Sequence, residues 1–289
     1  MRTGLSQIAL RISRSAPRIA GFGLKIASRV LPGHTPPWSL QMIADAIDLR
    51  VLVPARLRNG MKMQVVWTDS VGSAIRSKGC YEPEVVSVFL SHIKHGQTVI
   101  DVGAHVGQYT LLAAGIGCTV HSFEPDPKTF AILSANVAQN GLARVSLNQC
   151  ALAQSSHSAR LFSARSDNIG ATSLIPNKYT SNISALVSCV SLDGYLADHG
   201  NPEISFIKID VEGAEMDVLR GAKSVLSRYR PKLIVEFNEP MQAASGSSCS
   251  DIVDFLRSFG YRLWRITAGG LVPYVPQREE DEFFNVFAE

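Results

Sequence analysis

Residues 98–115 constrain this chain more than any other stretch: Thr98-Val-Ile-Asp-Val-Gly-Ala-His-Val-Gly-Gln-Tyr-Thr-Leu-Leu-Ala-Ala-Gly115. Val99, Ile100 and Val102 are β-branched and read as a short buried strand. From Tyr109 the period changes, and Leu111, Leu112, Ala113 and Ala114 fit the inner face of a helix that Gly115 can end. Between the two lies Asp101-Val-Gly103-Ala-His-Val-Gly107. Its glycines permit a tight turn and a close approach of backbone to ligand. The first N–H groups of the helix have no partner within it, so they point into that turn.

The spacing bears on which ligand the turn holds. A dinucleotide fingerprint places three glycines, G-x-G-x-x-G, after the strand, and no such triplet is present. Asp101 instead stands two residues before the first glycine. A carboxylate there repels a pyrophosphate and favours an ammonium or sulfonium group. The next strand, Cys118-Thr-Val-His-Ser-Phe-Glu124, runs into Pro125-Asp126-Pro127. Glu124 falls at its carboxyl end, where an acid can accept hydrogen bonds from a ribose diol. Asp101, Gly103, Ala104, Gly107, Glu124 and Pro125 are therefore candidate cofactor contacts, joined from elsewhere in the chain by Glu82, Ala151 and Asp210. The set fits S-adenosyl-L-methionine better than a nicotinamide dinucleotide. The competing reading is an ordinary strand–turn–helix junction with a surface glutamate.

At 289 residues the chain has room for one large α/β domain and an extension. Its charge is unevenly placed. Residues 1–60 hold nine Lys/Arg against two acids, a net +7, which leaves the rest net −4 under an overall +3. The body is thus mildly acidic, and no basic groove for nucleic acid is evident in it. Five scattered cysteines form no C-x-x-C or Cys/His ligand spacing, which suggests a reducing, cytoplasmic setting. No apolar run approaches the ~20 residues of a membrane span.

Residues 1–58 read as a basic amphipathic helical extension and linker. Leu5, Ile8, Ile12, Ile19, Phe22, Ile26 and Val30 fall on one helical stripe, with a restart at Ser15 and Pro17. Such a stripe can lie on an anionic membrane surface, or pack on its own domain or a partner subunit. Leu31–Trp38 is turn-rich. A small hairpin is expected around Asn59-Gly60. Tyr81-Glu82-Pro83 precedes a helix that buries Val85, Val86, Phe89, Leu90 and Ile93, so Glu82 has either a site role or a helix-start role. The third strand runs 144–148, and its exit at 150–153 borders an adenine site; Asn148, Ala151 and Leu152 are candidates there by position. Residues 154–186 are polar and read as a loop or hairpin over the substrate. Buried strands follow at 203–210 and 232–237, and two antiparallel strands at 261–266 and 283–288. The expected domain, 59–289, is a doubly wound, mostly parallel sheet of about seven strands with its ligand across the strand ends.

Asp101-Val-Gly-Ala-His-Val-Gly107, Phe123-Glu-Pro-Asp126 and Ile207-Lys-Ile-Asp-Val-Glu-Gly-Ala-Glu215 together resemble the FkbM-type methyltransferases, a branch of the class I S-adenosylmethionine-dependent enzymes. Tyr81-Glu82-Pro83-Glu84 and Leu192-Asp193 also match that pattern. The resemblance spans roughly residues 60–289 and leaves 1–58 uncovered. His105 stands where the family often has Asn. The resemblance implies a seven-stranded Rossmann-like sheet, a C-terminal antiparallel hairpin, and methyl transfer to a hydroxyl oxygen of a sugar, glycolipid or polyketide-like product.

Methyl transfer needs an acceptor oxygen held in line and one proton removed. Asp210, at the end of the fourth strand, is the first candidate for base or acceptor-orienting group, and Glu212 the second. Asp210 can also be read as a helix-capping acid. His105 can serve as a base, a structural residue or an orienting donor. Asp210, Glu236 and Asn238 offer a grouping for Mg²⁺ that nothing in the spacing requires. A nucleotide-dependent oxidoreductase and a non-catalytic cofactor-binding protein are the rival functions. The acceptor's identity, an oligomeric state and peripheral membrane contact through residues 1–30 are not fixed by these residues.

Overall fold

The computed structural model describes residues 17–30, 50–164, 168–176, 180–276 and 283–289. The expected stripe over residues 1–16 and the linker Leu31–Trp38 lie outside them. Two compact units emerge, one from Met1–Tyr81 with Ala164–Ala171, the other from Glu82–Ser163 with Thr172–Glu289.

In the first unit a helix runs Pro17–Val30, starting on the expected proline, and its Leu24 is buried. Strands β1 (Leu52–Arg56) and β2 (Lys62–Val66) pair antiparallel across the Asn59-Gly60 turn. The expected domain boundary at 58/59 falls inside that hairpin. Asp69 caps the helix Ser70–Lys78 by accepting from the Gly72 N–H at 2.9 Å. Its other oxygen accepts from the Ile169 N–H at 3.1 Å, which pins the short 3₁₀ turn Ile169–Ala171. Met63, Val65, Trp67 and Ile75 form the core.

The second unit is a mixed α/β sheet. In chain order its strands are β3 (Thr98–Val102), β4 (Thr119–Phe123), β5 (Val145–Asn148), β6 (Ala151–Leu152), β7 (His157–Ala164), β8 (Thr180–Val190), β9 (Phe206–Ile209), β10 (Lys232–Asn238), β11 (Leu263–Thr267), β12 (Gly270–Pro273) and β13 (Phe283–Ala288). The large sheet has the order β12-β11-β13-β10-β9-β3-β4-β5. The five strands from β10 to β5 are parallel, and β13, β11 and β12 join antiparallel. The expected class holds, but the sheet has eight strands rather than seven. The extra one is β12, paired to β11 across Ala268-Gly269, between the two strands expected at 261–266 and 283–288. Residues 154–186 form neither a bare loop nor a lone hairpin: β7 and β8 join β6 in a separate three-stranded sheet.

Strands β3 and β9 are buried almost throughout, because helices cover both faces of a parallel sheet. Ile100, Ile207, Leu233, Val235 and Val286 are each under 2% exposed in this core. The chain leaves β3 toward β4 and β5, then returns to β9 on β3's other side. That reversal opens a crevice at the carboxyl ends of β3 and β9, the place where such sheets bind ligands.

Candidate active site

The glycine turn fills that crevice. Gly103 has φ +78°, and a Cβ there would stand 1.8 Å from the Asp210 carbonyl oxygen, so only glycine fits between the β3 and β9 ends. The Asp210 N–H completes the seam by donating to the Val102 carbonyl at 3.1 Å. Gly107, at φ +100°, heads the helix Gln108–Ile116 and faces Leu133. The N–H groups of Gly103 and Ala104 both donate to the Phe123 carbonyl at 3.0 Å, binding the turn to β4.

Glu124 closes the turn from the side. One carboxylate oxygen accepts from the His105 N–H at 2.9 Å, the other from the Asp126 N–H at 2.8 Å. A carboxylate has about four lone-pair sites, so this clamp fixes the side chain and leaves acceptor capacity for a diol. His105 is held left-handed, φ 51°, and serves the turn through its main chain. Pro125 links Glu124 to Asp126, which caps the helix Pro127–Gln139. Asp101 is 1% exposed and accepts from Thr110 Oγ1 at 2.6 Å, with Ser122 Oγ next in line at 2.7 Å. Burial pushes its carboxyl up to about 6, against the opposing pull of Thr110 and Lys208. At the third strand's exit, Asn148 donates to the Ser122 carbonyl at 3.2 Å, and Ala151 and Leu152 are buried in β6.

A second constellation stands at the end of β9. Lys208 is 1% exposed and its ammonium lies 3.0 Å from an Asp210 carboxylate oxygen. Five carboxylates bear on this one cation: Glu82, Asp101, Asp210, Glu212 and Glu236. Burial lowers the lysine's affinity for its proton, yet Asp210, Glu82 and Glu236 more than offset it, so its pKa is raised. Burial lifts Glu82 to about 7. Burial, with Asp210 and Glu215 beside it, lifts Glu212 to about 8. Burial and the same neighbours push Glu236 well up. Oxygens of Asp210, Glu212 and Glu236 lie within 4.8 Å of one another.

The structure therefore brings Asp210, Glu212 and Glu236 together and leaves Asn238 apart from them. Asn238 caps the helix Glu239–Ala244 by accepting from the Met241 N–H at 3.4 Å. The helix Glu215–Arg220 starts at Ala214 with no side-chain cap, so Asp210 does not cap it; Glu215 instead accepts from the Val211 and Gly213 N–H groups just ahead of the helix and is also bonded by Gln242. Glu82 turns to the last strand, its Oε1 accepting from Asn285 Nδ2 at 3.2 Å. Among the non-glycine residues at positive φ are Glu82, His105 and Glu212. Strain of this kind costs ~1–3 kcal/mol each and gathers at functional sites.

Sequence reasoning missed two members. Lys208 lay inside a quoted motif, and its spacing of two from Asp210 along a strand puts both on one face. Asn285 carried no local signal, since its partner Glu82 is 203 residues away.

Comparison with known proteins places the chain in a family. The model of the methyltransferase FkbM domain matches residues 101–263, more than half of the chain, and the chain belongs to that family. It is an S-adenosylmethionine-dependent methyltransferase. Over 198 residues it is 26% identical to the 31-O-demethyl-FK506 methyltransferase FkbM of Streptomyces tacrolimicus, covering 58% of this chain and 74% of that one. Over 145 residues it is 26% identical to the hexuronic acid methyltransferase AglP of Haloferax volcanii, covering 50% of this chain and 58% of the relative. The crystal structure of methyltransferase FkbM from Methylobacillus flagellatus KT overlaps with a TM-score of 0.46 at 18% identity, over 68% of this chain and 44% of that one. Glu82 and Asn285 both lie outside the matched segment.

Proposed function

We propose that this chain methylates a hydroxyl oxygen on a sugar or polyketide-like small molecule, and that the two constellations divide the work. The observation that carries the reading is the carboxylate cluster around Lys208, set at the strand ends next to a turn with no room for a side chain. Relatives whose names specify 31-O-demethyl-FK506 and a hexuronic acid support an oxygen acceptor.

Gly103, Ala104 and Gly107 shape the bed for the methionine part, with Asp101 acting on its amino group through the turn. Glu124, braced by two N–H groups, holds the ribose hydroxyls. Asn148, Ala151, Leu152 and Pro125 border the adenine side. Held by these residues, S-adenosylmethionine would supply an electrophilic methyl and a thioether leaving group, so that the chain's own residues have one acceptor proton to take up. Asp210, fixed by Lys208, orients the acceptor hydroxyl. Glu212 takes the proton, its raised pKa suiting that task near neutrality. Lys208 fills the role a divalent ion would otherwise have: its ammonium already lies against Asp210. We assign no Mg²⁺ to the site.

The test uses tritiated-methyl S-adenosylmethionine with a panel of sugars, glycolipids and macrolides. Asp210→Ala should abolish transfer and Glu212→Gln should slow it by roughly 10²–10⁴. Both should keep S-adenosylhomocysteine binding by calorimetry. Undiminished transfer in Asp210→Ala overturns the assignment of roles. Tight NADH binding in place of S-adenosylhomocysteine overturns the function.

A further inference from the structure

A cleft of about 650 Å³ opens beside the acid cluster, between the start of the helix Pro83–His92 and the β11–β12–β13 end of the sheet. Its size suits a small ligand. At its inner end Glu82 and Asn285 meet, and each keeps one buried oxygen, Glu82 Oε2 and Asn285 Oδ1, without a hydrogen-bond partner. Asn285 is 5% exposed. Because Asn285 Nδ2 donates to Glu82 Oε1, the amide orientation is settled and Oδ1 is the atom left over. A buried polar atom without a partner costs ~1–3 kcal/mol; Asn285 Oδ1 accepts, and Glu82 Oε2 accepts when ionised and donates when it holds its proton. A hydroxyl, which both donates and accepts, completes Asn285 Oδ1 and either form of Glu82 Oε2.

Charge narrows the ligand further. The lining includes two acids, Glu82 and Glu84, against Arg265, whose guanidinium stacks over the Phe284 ring at 4.4 Å. An excess of acid disfavours an anionic ligand. The outer rim is apolar: Val272, Val275 and Phe283 line the cleft and are each more than half exposed. Such side chains at the mouth of a polar-ended cleft fit a ligand with a wet end and an apolar end. The inner end also adjoins the reacting groups, since Asn285 is the cross-strand partner of Glu236 and Glu82 feels the charges of Lys208 and Asp210.

We infer that this cleft is the acceptor site, that Glu82 and Asn285 each hydrogen-bond to hydroxyls of a neutral polyhydroxylated ring, and that the ring's apolar substituent lies on Val272, Val275 and Phe283. The inference rests on the methyltransferase reading above, and names the class of acceptor for the same site: an uncharged sugar on an alkyl or polyketide-like aglycone.

The probes are octyl β-glucoside, octyl β-galactoside, octyl β-glucuronide, methyl β-glucoside and 1-octanol, each below its micelle concentration. Binding is read by saturation-transfer difference NMR on the full chain with S-adenosylhomocysteine bound. Ring-proton signals are expected from a neutral octyl glycoside, weaker ones from the glucuronide and the methyl glycoside, and none of comparable strength from octanol. Glu82→Gln and Asn285→Leu should each weaken the neutral glycoside at least tenfold. Phe283→Ser, at an exposed position, should remove the advantage of octyl over methyl and leave the methyl glycoside as it was. S-adenosylhomocysteine affinity should stay within twofold in all three, which also certifies their folding. No binding by either neutral octyl glycoside, or binding that none of the variants changes, overturns the inference. Loss of S-adenosylhomocysteine binding by the unaltered chain would instead overturn the methyltransferase reading beneath it.

Discussion

The glycine turn and the Lys208 cluster stand at neighbouring strand ends and treat polar atoms in opposite ways. In the turn, demand is met from within: Asp101 has Thr110, Glu124 has two N–H groups, and Gly103 and Ala104 share the Phe123 carbonyl. Around Lys208, acids outnumber cations and buried oxygens of Glu82, Glu236 and Asn285 lack partners. A cradle finished in advance loses little entropy when a ligand enters. A cluster left short of protons and donors is poised to take both from a reactant, at a cost in stability that the rest of the fold must carry.

The comparison can be broken most severely at the seam. Gly103→Ala should lose upwards of about 3 kcal/mol, since the added carbon meets the Asp210 carbonyl at a left-handed φ. Thermal melting checks it, and a melting temperature within a degree of the parent's would refute the packing argument. Lys208→Met should cost about 3–5 kcal/mol above neutral pH, because it leaves buried carboxylates uncompensated.

The sign of the pH effect follows from Glu82 and Glu212, raised to about 7 and about 8 from an ordinary 4.5. A carboxyl that binds its proton more tightly when folded stabilises fully below about 4.5. That contribution is lost as pH climbs through the folded values. Calorimetric melting should therefore fall between about pH 5 and 8, less so in Glu212→Gln and more steeply in Lys208→Met. A flat profile in the parent chain would remove the cluster's claim to be strained.

On the cradle side, Glu124→Gln should weaken S-adenosylhomocysteine roughly 10–100-fold by calorimetry. The amide would confront at least one of the two N–H donors. Thr110→Val should be mildest, about 1–2 kcal/mol in chemical denaturation for the lost bond to Asp101. If Thr110→Val proved costlier than Lys208→Met, the contrast between the two regions would be inverted.

The same division explains what was legible in the sequence. Asp101, Gly103, Gly107 and Glu124 lie within 24 residues, and strand, turn and helix periods place them without tertiary knowledge. The parallel sheet, the hairpin at Asn59-Gly60 and the strand end at Asp210 followed for the same reason. The cluster is assembled from β9, β10, β13 and the residue before a distant helix, so no window of sequence contains it. Glu236 and Glu212 converge only once β10 lies beside β9, and Asn285 meets Glu82 only through sheet order. Strand β12 was missed because four residues beside a glycine pair are too short for a periodic signal, although Gly269-Gly270 between apolar runs was a usable hint. Asn238 was a candidate ligand by its place at a strand end, but a strand that runs straight into a helix turns its last polar side chain into a cap.

The pairing of Glu82 with Asn285 has a consequence for biosynthesis. Strand β13 is inserted between β11 and β10, in the middle of its half of the sheet rather than at a rim. On a ribosome, the glycine turn and Glu124 emerge more than 150 residues before the strand that supplies Asn285. A nascent polypeptide thus makes its glycine turn long before Asn285 is translated, and a stop codon a few dozen bases early would remove the strand that both β10 and β11 pair with.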